Sequence, residues 1–392
     1  MSSRLRGNQT KALPVAHALS QYRPMRTLTL TLGLSALIAG CAGAPVSSTT
    51  DPASADPATA ERVDALMRDY AGTGPGASLL VVRGGQAVLR RGYGLAEVES
   101  GAAATPQTNY RLASISKQFT AAAVLLLVED GKLGLDDPIK RWLPSLPKAA
   151  DAITLRQILS HTSGLIDYED VMPPEFDDRD RQMHDRDVLR VLEGQDRTYF
   201  APGQAYRYSN SGYALLALTV EQASGKRYAD FLRERIFLPL GMRDTVAYER
   251  GVSEVAHRAY GYSFEGRWTR TDQSPTSAVL GDGGIYSSID DLTRWDAALY
   301  DDRLLSDASR RLAFSPHTST DLADVAYGYG WRITGETLWH SGESIGFRNV
   351  IVRYPQRRLT VVLLSNRNDP EPYRLALRIA ELYLPAAVEA GR

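Results

Sequence analysis

Ser114, Ile115, Ser116 and Lys117 form a Ser-x-x-Lys motif at the head of an apolar stretch holding Phe119, Ala122, Val124, Leu125, Leu126 and Val128. Residues three apart share one face of a helix, with Cβ atoms about 5 to 6 Å apart, so hydroxyl and amine can meet. This is the arrangement of a nucleophile beside its base. A lysine at its ordinary pKa of about 10.4 is a protonated acid at neutral pH, so the role requires burial or a neighbouring charge to lower it by about three units. An apolar helix supplies the burial. Ser145 to Lys148 repeats the motif, but Pro144 and Pro147 prevent a helix there and leave the two side chains without a common face.

Two other signatures are weaker alone. Tyr208-Ser209-Asn210 is the only Tyr-x-Asn in the chain; it follows Pro202 and Gly203 and precedes a helix expected from about Tyr213. A loop at a helix start can aim side chains into a cleft, and the bland alternative is an Asn-type cap. His340-Ser341-Gly342 is the only His-x-Gly, at the end of a strand expected over Thr337 to His340. There a glycine permits close approach of a substrate backbone, and the bland alternative is a satisfied structural histidine.

Together, in this order and 94 and 132 residues apart, the three resemble the serine β-lactamase and penicillin-binding-protein superfamily, particularly its class C β-lactamase, D-alanyl-D-alanine peptidase and esterase branch. Leu159 to Leu165, Pro202 to Tyr213, Gly283 to Ser288 and Tyr327 to Trp331 match in kind, so the resemblance runs from about Glu61 to Leu384. It implies a β-lactamase/transpeptidase-like fold and a serine hydrolase working through an acyl-enzyme, without metal or cofactor. Carried over, Ser114 is the acylated nucleophile, Lys117 its partner and Tyr208 the proton shuttle, with Lys117 and Tyr208 assigned jointly as first base. Asn210 becomes a donor to the substrate, Ser341 and Gly342 line it, and His340 stands where β-lactamases usually carry lysine. The backbone N–H groups of Ser114 and Glu343 form the oxyanion hole, where losing one donor typically costs about 3 kcal/mol. Histidine for lysine removes a permanent cation suited to a substrate carboxylate. That favours a D-amino-acid peptidase or carboxylesterase, with a class C-like β-lactamase as the alternative. The rival from another class is a catalytically weak protein that binds penicillin or cell-wall peptide.

Gly342 to Gly346 also fits the Gly-x-Ser-x-Gly elbow of α/β-hydrolases, whose chain order is Ser, acid, His. No histidine follows Ser344, so that triad cannot close. Gly281 to Gly284 lacks the Gly-Lys-Ser/Thr of a phosphate loop and reads as a turn entering a helix over Asp290 to Leu299. His161, His184, His257 and His317 show no paired metal-ligand spacing.

The elements that must position these residues form an α/β (α+β) pattern. Val63, Leu66, Met67 and Tyr70 stripe a helix behind Thr59 as N-cap; strands over Ala77 to Val82 and Ala87 to Arg91 flank Gly84 and Gly85. Thr337 to His340, Phe347 to Tyr354 and Leu359 to Ser365 read as further strands, and Leu375, Ile379 and Leu382 as a closing helix. Between them the clearest elements are helical: Lys117 to Glu129, Asp187 to Leu192, Tyr213 to Ala223 and Tyr228 to Phe237. An antiparallel sheet built from both ends, flanked by helices and interrupted by a mainly helical lobe, follows. The α/β lobe spans about 61–105 and 275–384 and the helical lobe about 106–274, within a hydrolase domain over 61–384. Glu175 to Asp187, dense in Asp and Arg, reads as a solvated loop.

The chain of 392 residues carries 45 Lys and Arg against 46 Asp and Glu. Five of the basic residues, Arg4, Arg6, Lys11, Arg23 and Arg26, lie in the first 40 positions, leaving a mildly acidic remainder ill suited to nucleic acid. Leu28 to Ala39 is apolar but shorter than the roughly 20 residues needed to cross a bilayer, so 1–40 reads as a signal peptide, with Met25 an alternative start. Leu37-Ile38-Ala39-Gly40-Cys41 resembles a bacterial lipobox. It implies lipidation of Cys41, the only cysteine, a flexible tether over 41–60 and a periplasm-facing lipoprotein of a Gram-negative outer membrane. A tail follows over 385–392.

Overall fold

The computed structural model describes residues 56–176 and 181–385. The expected signal peptide, Cys41 and the chain up to residue 55 lie outside the described residues. We label the strands of the main sheet β1 to β8. β1 (Ala77–Arg83) turns through Gly84 and Gly85, at φ +61° and +86°, into β2 (Gln86–Tyr93). The sheet resumes near the other end of the chain with β3 (Thr318–Ser319), β4 (Ala326–Tyr327), β5 (Arg332–Thr334), β6 (Thr337–Ser344), β7 (Phe347–Tyr354) and β8 (Leu359–Ser365). Their spatial order is β3-β4-β5-β6-β7-β8-β1-β2, antiparallel throughout. β1 pairs with β8 from Ala77 opposite Ser365 to Arg83 opposite Leu359, so both ends of the chain complete one sheet.

Successive strand residues point to opposite faces, and both faces are covered. Leu79, Val81, Val352, Val361 and Leu363 join Val63 of α1 (Pro57–Leu66) and Ala376 and Ile379 of α6 (Tyr373–Glu381) in one cluster. Leu80, Val82, Ile351, Val362 and Leu364 belong to the other, with α2 (Lys117–Glu129), α3 (Asp185–Glu193), α4 (Asn210–Ser224) and α5 (Ile289–Ala298). Two-sided burial is why β1 and β8 read as unbroken apolar runs. α2 is buried from Lys117 through Leu127, as an all-round apolar helix must be.

Three expectations change. α1 starts after Asp56, and Thr59 lies inside it, donating its hydroxyl to Asp56 Oδ2 at 3.3 Å instead of capping. The helix expected over Tyr228 to Phe237 is α-helical only to Leu232 and then widens into a π turn over Arg233–Phe237. The interior stretch also carries short strands at Val246–Ala247, Tyr262–Phe264 and Trp268–Arg270.

Candidate active site

Ser114 sits on a 3-10 turn, Ala113–Ser116, that runs directly into α2. Ala113 has φ +50°, a region costly for a residue with a Cβ, so the surrounding packing holds the turn that presents Ser114. Ser114 is half-buried, whereas Lys117 is fully buried. Lys117 Nζ donates to Asn210 Oδ1 at 2.8 Å and to the Asp282 carbonyl at 2.9 Å, and lies 3.2 Å from Ser114 Oγ. Two of these partners can only accept. They fix two N–H directions and leave the third for Ser114 Oγ.

Asn210 opens α4, whose N-cap is Ser209: the Ser209 hydroxyl accepts the Gly212 N–H at 3.1 Å. Both ends of the Asn210 side chain engage protein. Oδ1 takes Lys117, and Nδ2 donates to Glu169 Oε1 at 3.3 Å. Tyr208 lies beneath Lys117, its ring centroid 4.8 Å from Nζ, and its hydroxyl has no hydrogen-bond partner among the described residues. Ser114, Lys117 and Asn210 are thus joined directly, and Tyr208 meets them through its ring.

His340 is fully buried behind Tyr208, with ring centroids 6.3 Å apart. Its Nδ1 donates to the Ser341 carbonyl at 2.7 Å, and its Nε2 accepts from the Tyr327 hydroxyl at 3.0 Å. Burial, and next the Arg332 guanidinium, hold its pKa well below 6.5. The lowered pKa means protonation waits for more acidic solution, so His340 is neutral where an ordinary histidine begins to charge. A carboxylate ligand therefore gains nothing from it between about pH 8 and pH 6. The KM ratio of a carboxylate-bearing ester to its uncharged analogue is expected to stay constant over that range. A roughly tenfold tightening for the carboxylate near pH 6.5 would reveal a charged imidazole.

Gly342 serves the chain's own packing. A Cβ there would stand 2.0 Å from the Leu112 carbonyl oxygen, so β6 lies directly against the backbone entering the Ser114 turn. Ser341 is half-buried beside it, and the Glu343 side chain is exposed and paired with Arg348 at 2.7 Å. The Gly342 to Gly346 segment is a β-hairpin joining β6 to β7, with Gly346 at φ +73° and no helix after it, unlike a nucleophile elbow.

An acidic cluster escaped the sequence reading. The Asp167 carboxylate accepts the N–H groups of Glu169, Asn210 and Ser211, anchoring the start of α4. Asp282 is buried, accepts the Tyr168 hydroxyl at 2.9 Å and has its pKa pushed up to about 7, chiefly by burial. Glu169, whose carboxylate accepts from Asn210 Nδ2, has its pKa raised to about 7, first by loss of hydration and then by the negative charges of Asp167 and Asp282. Asp185 overturns the solvated reading of its loop: it is buried, accepting the Leu280 and Gly281 N–H groups at 3.0 Å each. It thereby holds the turn whose Asp282 carbonyl receives Lys117. The Leu159 to Leu165 and Gly283 to Ser288 matches flanked these acids, but composition could not tell which carboxylates turn inward.

A half-buried serine beside a buried lysine, on the turn that enters α2 and lies against β6, is the arrangement a serine hydrolase needs. Residues 60–384 match the family described as Beta-lactamase, and the chain belongs to that family. Penicillin-binding protein 4* of Bacillus subtilis is 35% identical over 318 residues, 76% of this chain and 70% of that one. The D-aminopeptidase of Brucella canis is 31% identical over 83% of this chain and 62% of its own length. The D-amino acid amidase from Ochrobactrum anthropi SV3, complexed with D-phenylalanine, superposes with TM-score 0.72 and 26% identity over 83% of this chain and 99% of that one.

Proposed function

We propose that this protein hydrolyses amides of D-amino acids through an acyl-enzyme on Ser114. The observation that carries the proposal is the position of Lys117 Nζ, held by two obligate acceptors so that its third direction meets Ser114 Oγ. The hydroxyl proton passes to the Lys117 and Tyr208 pair as Oγ bonds to the carbonyl carbon. The proton then goes to the departing amine as the C–N bond breaks. Water attacks the ester next, giving up a proton along the same route and releasing the acid. Backbone N–H groups of Ser114 and Glu343 are assigned to the oxyanion.

Substrate class is argued from charge. The Glu169 carboxylate lies two hydrogen bonds from Lys117, while His340 stays neutral. On the Glu169 side that polarity suits a free ammonium better than a carboxylate, while the Arg332 guanidinium lies on the other side, beside His340 and Tyr208. The D configuration is inferred from the D-aminopeptidase and D-amino acid amidase relatives. Because Glu169 has its pKa raised to about 7, it carries its charge above that value and loses it below. KM for D-phenylalanine p-nitroanilide is therefore expected to rise as pH falls through about 7, and Glu169→Gln to raise it about tenfold at pH 8 while removing that dependence. Initial rates on the D and L anilides and on a chromogenic cephalosporin test the assignment. Faster cephalosporin turnover makes the protein a β-lactamase, and failure of both penicillin and fluorophosphonate to label it makes it a binding protein.

A further inference from the structure

We infer that His161 is a positioning residue for Tyr208, clamping the backbone on both sides of it and supporting its ring. The inference rests on the proposed role of Tyr208 in moving the serine proton. His161 is fully buried and adopts φ +60°, a left-handed conformation that His and Asn accept more readily than most residues. Its carbonyl accepts the Arg207 N–H at 3.0 Å and its Nδ1 accepts the Ser209 N–H at 3.1 Å. The residues before and after Tyr208 are thus tied to one histidine. The imidazole also packs against the Tyr208 ring, with centroids 4.4 Å apart and planes inclined by 37°.

Since Nδ1 accepts, the ring hydrogen is on Nε2, which is buried without a hydrogen-bond partner among rings that include Tyr206, Tyr213 and Tyr327. The ordinary hydrogen-bond partners that would anchor the Tyr208 hydroxyl are lacking, so this phenol is located by its backbone and ring alone. A structural histidine elsewhere in the core would bear no such relation to one side chain.

A double-mutant cycle separates the two possibilities. Tyr208→Phe is expected to lower kcat about a hundredfold on p-nitrophenyl acetate. His161→Phe, which keeps a ring but removes the acceptor, should lower kcat at least tenfold with KM unchanged. In the Tyr208→Phe background, the same change should cost less than about twofold. His161→Asn places Oδ1 where Nδ1 was and tolerates the backbone, so kcat should return to within about threefold of the parent. Equal losses from His161→Phe in both backgrounds, or a His161→Asn protein as impaired as His161→Phe while melting like the parent, overturns the inference. If His161→Phe fails to fold, His161→Asn and its combination with Tyr208→Phe carry the test: a kcat loss beyond threefold for His161→Asn overturns the inference. If Tyr208→Phe itself is without effect, it is the proposed role of Tyr208 that fails.

Discussion

Ser114→Ala abolishes turnover and covalent labelling by fluorescent penicillin and by fluorophosphonate, while the protein melts close to the parent. Among the described residues the removed hydroxyl is hydrogen-bonded to Lys117 Nζ at 3.2 Å, and that nitrogen keeps Asn210 Oδ1 and the Asp282 carbonyl. The folding penalty is therefore about 1 kcal/mol, the net worth of one ordinary hydrogen bond. The loss in rate is on the order of 10⁴ to 10⁶, as for other hydrolases stripped of their nucleophile. Lys117→Met keeps the buried stem but leaves the buried Asp282 carbonyl and the half-buried Asn210 Oδ1 without their donor, so it costs about 1 to 3 kcal/mol in stability as well as nearly the same rate. Groups that act as a unit are not additive, so the double variant should turn over no more than about twofold slower than the worse single one. A Ser114→Ala protein that still takes either label, with mass mapping of the adduct to another residue, removes Ser114 from the reaction. Additive losses would instead separate Lys117 from it.

What was legible in the sequence was whatever repeats over several residues or sits at a fixed offset. β1 and β8 announced themselves because burial on both faces leaves no polar alternation to obscure the apolar runs Leu79 to Val82 and Val361 to Leu364. Ser114 and Lys117 were legible because an offset of three works in both a 3-10 turn and an α-helix, even though the serine precedes α2 itself. β3, β4 and β5 were not, since two or three residues carry no period, and they extend the sheet beyond the strands expected. Asp167, Asp185 and Asp282 were missed for a different reason. A carboxylate becomes interior only because distant N–H or O–H groups turn to meet it, and those of Asn210, Leu280 and Tyr168 are brought there by the tertiary fold.

His340 and Gly342 show the same limit from the other side. Their place in the sequence pattern is plain, but their partners were not legible. A histidine at a strand end could face solvent and charge; here Tyr327 and the Ser341 carbonyl occupy both nitrogens. A glycine at that point could admit a substrate backbone, and the backbone it admits is that of Leu112.

Gly342→Ala is accordingly expected to damage activity more than its size suggests. Its new Cβ would meet the Leu112 oxygen at 2.0 Å and the Leu112 carbon at 3.1 Å, with Ile115 Cγ1 at 3.4 Å. β6 cannot easily retreat. Gly342 is registered opposite Asn349 of β7, whose Nδ2 donates to the Arg111 carbonyl at 2.8 Å and whose Oδ1 accepts the Ser365 N–H at 3.0 Å. The neighbouring strand is thus tied to the same Arg111–Leu112 backbone that the new Cβ would push against. Leu112 is the softer partner, but its carbonyl accepts the Ile115 N–H at 3.3 Å and its N–H donates to the Ile285 carbonyl at 2.8 Å. Displacing it rotates the turn that carries Ser114 and changes the spacing between the proposed nucleophile and the Glu343 N–H. Overpacking of this kind costs about 1 to 3 kcal/mol in folding. A displacement near 1 Å at the reacting groups costs about a hundredfold in kcat/KM. Gly335→Ala supplies the comparison: at φ +55° with open space around its Cβ position, it strains the β5 to β6 turn without touching Leu112. It should lower the melting temperature and leave kcat/KM within about twofold, because its cost is backbone strain alone. If Gly342→Ala retains the parent's rate, or if Gly335→Ala loses as much, then close contact between β6 and Leu112 is not what aligns the site.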